Sequence, residues 1–213
     1  MAVKRKSFDD WTAQDIRYTF GIKERNKSSL LDDWLSKSFV PNAVAVTVME
    51  ERREELNRHF RSWNEDELKF QFIAQIVVLA KLHGEDFSTF SQRNLSAVYK
   101  DVLLQGRPEV MIATGKDDPV HPYFFIHEYK PTKQTGDPLG QVLAAMLAAY
   151  MLNGDEKPIF GCFVIGNTWQ FVVLENETYT ISRSYDANQA DDLQDIYSAL
   201  CQAKVYIEER VKS

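Results

Sequence analysis

The chain has 213 residues, a net charge of −6, a sequence pI of about 5.3 and 44% apolar residues. That length fits one generous domain, or one domain with an extension. The acidic balance argues against a strongly basic protein that coats nucleic acid, while leaving room for a local basic patch.

Only two cysteines occur, Cys162 and Cys201, and no CxxC pair, which argues against a disulfide framework and for a reduced, intracellular setting. The N-terminus carries Lys4, Arg5 and Lys6, which read as a mobile tail, but no apolar segment follows, so no secretory signal is expected. The longest apolar run, residues 142–152, is too short for a bilayer, which needs about 20 residues. The expectation is a cytoplasmic protein with no membrane partner.

In chain order, residues 1–60 read as a helical extension ahead of a main domain at 61–213. Leu30, Leu31 and Trp34 have helical spacing, and Thr47 with Glu50 fits a capping box before a charged helix. A second capping box, Asn64 with Glu67, opens an apolar helix over 68–82 that includes Phe70, Phe72, Ile73, Ile76, Val77 and Leu79. The period then changes. Residues 95–105 read as one strand, 109–113 as a second and 123–130 as a third, with Pro131 ending it. Asp137 is an N-cap with Pro138 in the first helical position, and that helix ends at Asn153-Gly154. Strands follow at 159–165, 168–174 and 178–183, joined as hairpins, and a last helix spans 190–211. The fold class is α/β (α+β), with a mixed sheet flanked by helices.

Four features of this pattern carry chemistry. Glu128 and Lys130 are two apart on a strand and therefore share a face, with Tyr129 on the other. Glu109 follows Pro108 at the start of the preceding strand and comes near Glu128 if the two strands pair. Close carboxylates repel unless a cation or a proton lies between them, and oxygen ligands suit Mg²⁺ or Mn²⁺. Gln141 is a lone polar side chain on a helix that is apolar all round, so its amide needs partners. Glu67 stands in the first turn of its helix, where it also serves as a helix-capping residue. His127 faces away from the carboxylates, and His121 lies in a loop between prolines. Trp169, Phe171 and Val173 alternate as a buried strand face does.

The order Glu67, Pro108-Glu109, Glu128-Tyr129-Lys130, Gln141 resembles the PD-(D/E)XK nuclease superfamily, and most of all the stand-alone relatives of the nuclease domain of type I restriction subunits. The resemblance covers residues 64–165. It implies a restriction-endonuclease-like core of a helix, a three-stranded meander, a helix and a further strand. It also implies a Mg²⁺ or Mn²⁺ held by Glu109, Glu128 and the Tyr129 carbonyl, with Glu67 completing the shell. Lys130 would position the attacking water or neutralise charge on the phosphorane-like transition state, and Gln141 would orient Lys130 or the scissile phosphate. The implied activity is phosphodiester hydrolysis in nucleic acid, with DNA favoured, in restriction, defence or repair. Two positions depart from the pattern: Glu109 replaces an Asp, and Ala145 stands where a Tyr is frequent. These departures and the acidic charge keep open a catalytically impaired binding or scaffold module, and a metal-free acid–base pair of Glu109 and Glu128 is a third reading. A homodimer or a protein partner is compatible with all three.

Overall fold

A mixed sheet of eight strands forms the centre of the structure, a computed structural model that describes residues 4–132 and 136–212. The chain begins with β1 (Lys4–Ser7), a 3₁₀ turn (Phe8–Asp10), α1 (Ala13–Phe20), β2 (Lys23–Arg25), α2 (Ser29–Ser36) and α3 (Ala43–His59). Then come α4 (Glu65–Leu68), a π-turn (Lys69–Ile73) and α5 (Ala74–Leu79), which follow without a break in the chain. The strands β3 (Phe87–Ser91), β4 (Leu95–Tyr99), β5 (Val102–Gly106), β6 (Val110–Thr114) and β7 (Val120–Lys130) come next. After α6 (Pro138–Asn153) the chain adds β8 (Ile159–Ile165), β9 (Thr168–Glu175), β10 (Thr178–Ile181), β11 (Tyr185–Asp186) and α7 (Ala190–Lys212).

The large sheet runs β2-β10-β9-β8-β7-β6-β3, with β11 beside β9. Strands β3, β6 and β7 form an antiparallel meander. The α6 crossover then brings β8 in parallel to β7, and β9 and β10 return as hairpins. A smaller sheet, β1-β5-β4, lies apart from it.

One core cluster packs α2, α3, α5 and α7 against Phe125, Tyr129, Cys162, Trp169 and Phe171. The other packs α1, α6 and the small sheet against Met111, Ile126 and Val172. α6 lies between the two sheets, touching β7 and β8 on one side and β4 and β5 on the other. Its apolar circumference follows from that position. Gly140 is required there, because a Cβ would lie 2.3 Å from the Trp11 carbonyl oxygen. The Asp137 carboxylate caps α6 through the Gly140 N–H (3.0 Å) and also accepts the Ala13 N–H (2.8 Å), which fixes α1 against the start of α6.

The structure corrects several sequence readings. Residues 4–59 are not helical throughout. β1 pairs in parallel with β5 and β2 with β10, so Lys4, Arg5 and Lys6 lie in a strand rather than a tail. Lys6 pairs with Asp15 at 2.8 Å. Asn42, not Thr47, caps α3, and the Thr47 hydroxyl donates within the helix to the Ala43 carbonyl. Residues 95–105 are a hairpin, because Lys100 and Asp101 both take positive φ (45° and 65°) and make a tight two-residue turn. The first strand of the meander is β3, which the sequence reading left out.

Candidate active-site cleft

Glu128 and Lys130 lie at the carboxyl end of β7, where α6 begins its crossover to β8. Clefts at such strand ends are the usual ligand sites of open α/β sheets. In the β6–β7 ladder Val110 pairs with His127, so one step further places Glu109 opposite Glu128. Gln141 reaches the same place from the first turn of α6. A cleft of about 560 Å³ is lined by Glu109, Glu128, Lys130 and Gln141 together with Asp9, Glu65, Gln92 and Arg107. Four of the five side chains expected at the site therefore converge.

Glu67 does not join them. Its carboxylate accepts the Asn64 N–H at 2.8 Å while the Asn64 side chain accepts the Glu67 N–H at 2.9 Å, and Glu67 is exposed. The capping box is real and uses the side chain that the family resemblance would give to the site. Glu65 takes the position instead, with its carboxylate 3.5 Å from the Lys130 ammonium. Glu65 and Lys69 are four apart on one helical turn and so share a face, beside the buried stripe of Leu68, Phe72 and Ile76. That adjacency to the stripe was the available sequence signal, and it favours Glu65 over Glu67.

The charges are tightly arranged. Lys130 pairs with Glu128 at 3.1 Å. Lys69 pairs with Glu109 at 2.6 Å, and the Gln92 amide donates to the other Glu109 oxygen. Lys69 also lies 5.2 Å over the Tyr129 ring. Four carboxylates (Asp9, Glu65, Glu109 and Glu128) thus meet two lysines, with Arg107 at the rim, where it donates to Asn94.

The surplus of negative charge and the burial of the cleft have consequences. Burial raises the Glu128 carboxyl to about 7, with Lys130 opposing and the Glu109 and Asp9 charges adding to the rise. Burial also raises Glu65. Burial pulls the Lys130 ammonium down, but the Glu128, Glu65 and Glu109 charges outweigh it and leave its pKa above that of an ordinary lysine. The Tyr129 phenol is pushed up by burial and by Glu109, so it stays protonated. The buried Gln141 Oε1 has no hydrogen-bond partner among the described residues, so it offers a free acceptor inside the cleft.

The oxygen donors of Glu109, Glu128, Glu65 and Asp9 fit a hard divalent cation by type. Among the described residues no group of three or more His, Cys, Asp or Glu stands in ligating geometry, and ammonium groups hold Glu109 and Glu128. His127 lies on the opposite face of the sheet. It is fully buried 5.1 Å from the Trp169 ring, and burial lowers its pKa to about 3. Trp169, Phe171 and Val173 are core residues, as their alternation implies. No helix of the described residues is long and apolar enough to cross a membrane. No protein-family model matches the chain, and no curated protein matches it.

Proposed function

We propose that this cleft is the active site of a metal-dependent nuclease of the PD-(D/E)XK kind, hydrolysing phosphodiester bonds in nucleic acid, with DNA the favoured substrate. One observation carries the reading. Glu109, Glu128, Lys130 and Gln141, drawn from two strands and the crossover helix, meet in one cleft at the end of β7. The order of elements supports it. α5 precedes the β3-β6-β7 meander, into which the β4–β5 hairpin is inserted, and α6 then leads to β8, an order compatible with the helix, meander, helix and strand that the resemblance implies.

Glu109, Glu128 and the Tyr129 carbonyl would hold Mg²⁺ or Mn²⁺, with Glu65 rather than Glu67 beside them. Bound there, the cation supplies a polarised phosphoryl oxygen and a more acidic water. The protein's own groups do the rest. Lys130, held by Glu128 and Glu65, keeps a positive charge where negative charge grows on the phosphoryl group. Gln141 presents its unpartnered oxygen to orient a water or Lys130. The amino end of α6 favours an anionic phosphate. A scaffold module is the second reading, and the observation that favours it is the Lys69 ion pair on Glu109.

The test is calorimetric titration of Mg²⁺ and Mn²⁺ into the wild type and Glu128→Ala, followed by cleavage of DNA and RNA with both proteins. Saturable binding and cleavage, both lost in the variant, are expected. Binding without cleavage of any substrate favours the scaffold, and no binding by folded wild type refutes the catalytic reading.

A further inference from the structure

Lys69 is the cation at this site that the sequence pattern of the family resemblance did not supply, and it pairs with Glu109. We infer that it is a resident counter-ion. Its ammonium occupies Glu109 and has to leave before a divalent cation can bind, so the two compete for the same carboxylate. The inference rests on the proposed metal site and concerns how that site is loaded.

Three observations place Lys69 in this role. The first is the occupation of Glu109, one of whose oxygens is buried, has no hydrogen-bond partner among the described residues and is held only by the Lys69 charge. The residue is 5% exposed, with one carboxylate oxygen 2.6 Å from Lys69 Nζ and the other taking the Gln92 amide. A buried carboxylate with no cation is costly, and a lysine ammonium is a compact point charge that meets this need. The second is the backbone that delivers it. Lys69 opens a five-residue π-turn within an otherwise α-helical segment, and its N–H donates to both the Asp66 and Glu65 carbonyls. Single π-turns are rare and concentrate at functional sites. The third is an alternative station. The Tyr129 ring face, 5.2 Å from the ammonium, borders Glu109 and can retain the cation without a carboxylate. Lys69 remains partly accessible, with 20% of its side chain exposed, so its ammonium can swing to water.

Lys130 cannot fill the same role. It is shared between Glu128 and Glu65, is more buried, and stays charged against two carboxylates. Lys69 has a single carboxylate partner among the described residues. Releasing one ammonium from Glu109 frees the oxygen that Lys69 holds while leaving Lys130 in place. Loading is therefore an exchange of one monovalent cation for one divalent cation. The exchange weakens apparent metal affinity by the strength of the ion pair that must break.

The experiment is calorimetric titration of Mn²⁺ into the wild type, Lys69→Met, Lys69→Gln and Lys69→Arg, with Glu128→Ala as the site control. Thermal melts of each protein with EDTA and with saturating Mn²⁺ accompany it. Removing the competitor is expected to tighten Mn²⁺ binding about tenfold or more in Lys69→Met and Lys69→Gln, which corresponds to about 1.4 kcal/mol per factor of ten. Lys69→Arg, which keeps the charge, stays near wild type. In EDTA the two neutral variants melt lower than wild type, and Mn²⁺ raises their melting temperature by more than it raises that of wild type. Lys69→Gln keeps a hydrogen-bond donor for Glu109 and serves if Lys69→Met does not fold. Equal or weaker Mn²⁺ binding in the neutral variants, with binding still lost in Glu128→Ala, overturns the counter-ion role and leaves the nuclease reading standing. Absence of Mn²⁺ binding in all the proteins overturns both.

Discussion

Replacing Glu128 with glutamine isolates what the buried carboxyl costs the fold. Burial raises its pKa from 4.5 to about 7. Between those values the folded chain holds a proton that the unfolded chain has released. The stabilising contribution is therefore complete below pH about 4.5 and disappears as pH rises through about 7. A rise of about 2.5 units, at roughly 1.36 kcal/mol per unit, sets the cost of the ionised form near 3 kcal/mol. The attraction of Lys130, 3.1 Å away, is already contained in that value, because it opposes the rise. Glutamine, neutral like the protonated carboxyl, therefore leaves the variant about 3 kcal/mol more stable at pH about 8 and nearly equal at pH about 4.5. For a chain of this size that is a melting temperature about 6–12 °C higher.

The wild-type profile alone hides this effect. Burial depresses His127 to about 3, so the folded chain keeps it neutral while the unfolded chain protonates it. Stability therefore falls as pH drops from 6.5 towards 3, a slope opposite to that of Glu128. The difference between the two proteins cancels His127. Urea and thermal unfolding of both, in EDTA across pH about 4.5 to 8.5, measures it. A difference that does not grow with pH, or a variant less stable at pH about 8, refutes the reasoning.

Other expectations follow from particular contacts. Gly140→Ala drives a Cβ into the Trp11 carbonyl at 2.3 Å, so it should destabilise by about 1–3 kcal/mol in urea unfolding and displace the Asp9 wall of the cleft. Glu67→Ala loses half of the capping box and should cost about 1 kcal/mol or less, with unchanged Mn²⁺ affinity by calorimetry. Glu65→Gln should instead shift that affinity, because it removes a carboxylate facing Lys130. The imidazole of His127 should not titrate between pH about 5 and 8 by NMR, given its burial and its lowered pKa.

The elements legible in the sequence were those whose signals are local. Asp137, Pro138 and Gly154 bracket α6, Asn64 and Glu67 open α4, and the dense apolar strands β6 to β10 follow their β-formers. What was illegible depends on distant partners. β1 and β2 are charged tetra- and tripeptides that become strands only because β5 and β10 lie beside them. β3, with the sequence Phe-Ser-Thr-Phe-Ser, has no apolar alternation of its own. The Lys100-Asp101 turn lacks the Asn-Gly or Asp-Gly signal that would have split 95–105 into a hairpin.

The site divides in the same way. Glu109, Glu128, Lys130 and Gln141 were readable because strand alternation and a lone amide on an apolar helix are sequence patterns. Asp9 and Gln92 were not, because they reach the cleft from a 3₁₀ turn and from a residue with φ of 53° that follows β3. Lys69 reaches Glu109 through a π-turn, which a helical reading of 68–82 does not anticipate.

The measurement that tests the central claim most directly is cleavage of single- and double-stranded DNA by purified wild type, Glu128→Gln and Lys130→Met, each with EDTA, Mg²⁺ or Mn²⁺. Cleavage by the wild type only with a divalent cation, and its loss in both folded variants, is the predicted result. Cleavage that persists in EDTA, or that survives in Glu128→Gln, would contradict a metal-dependent site at the end of β7.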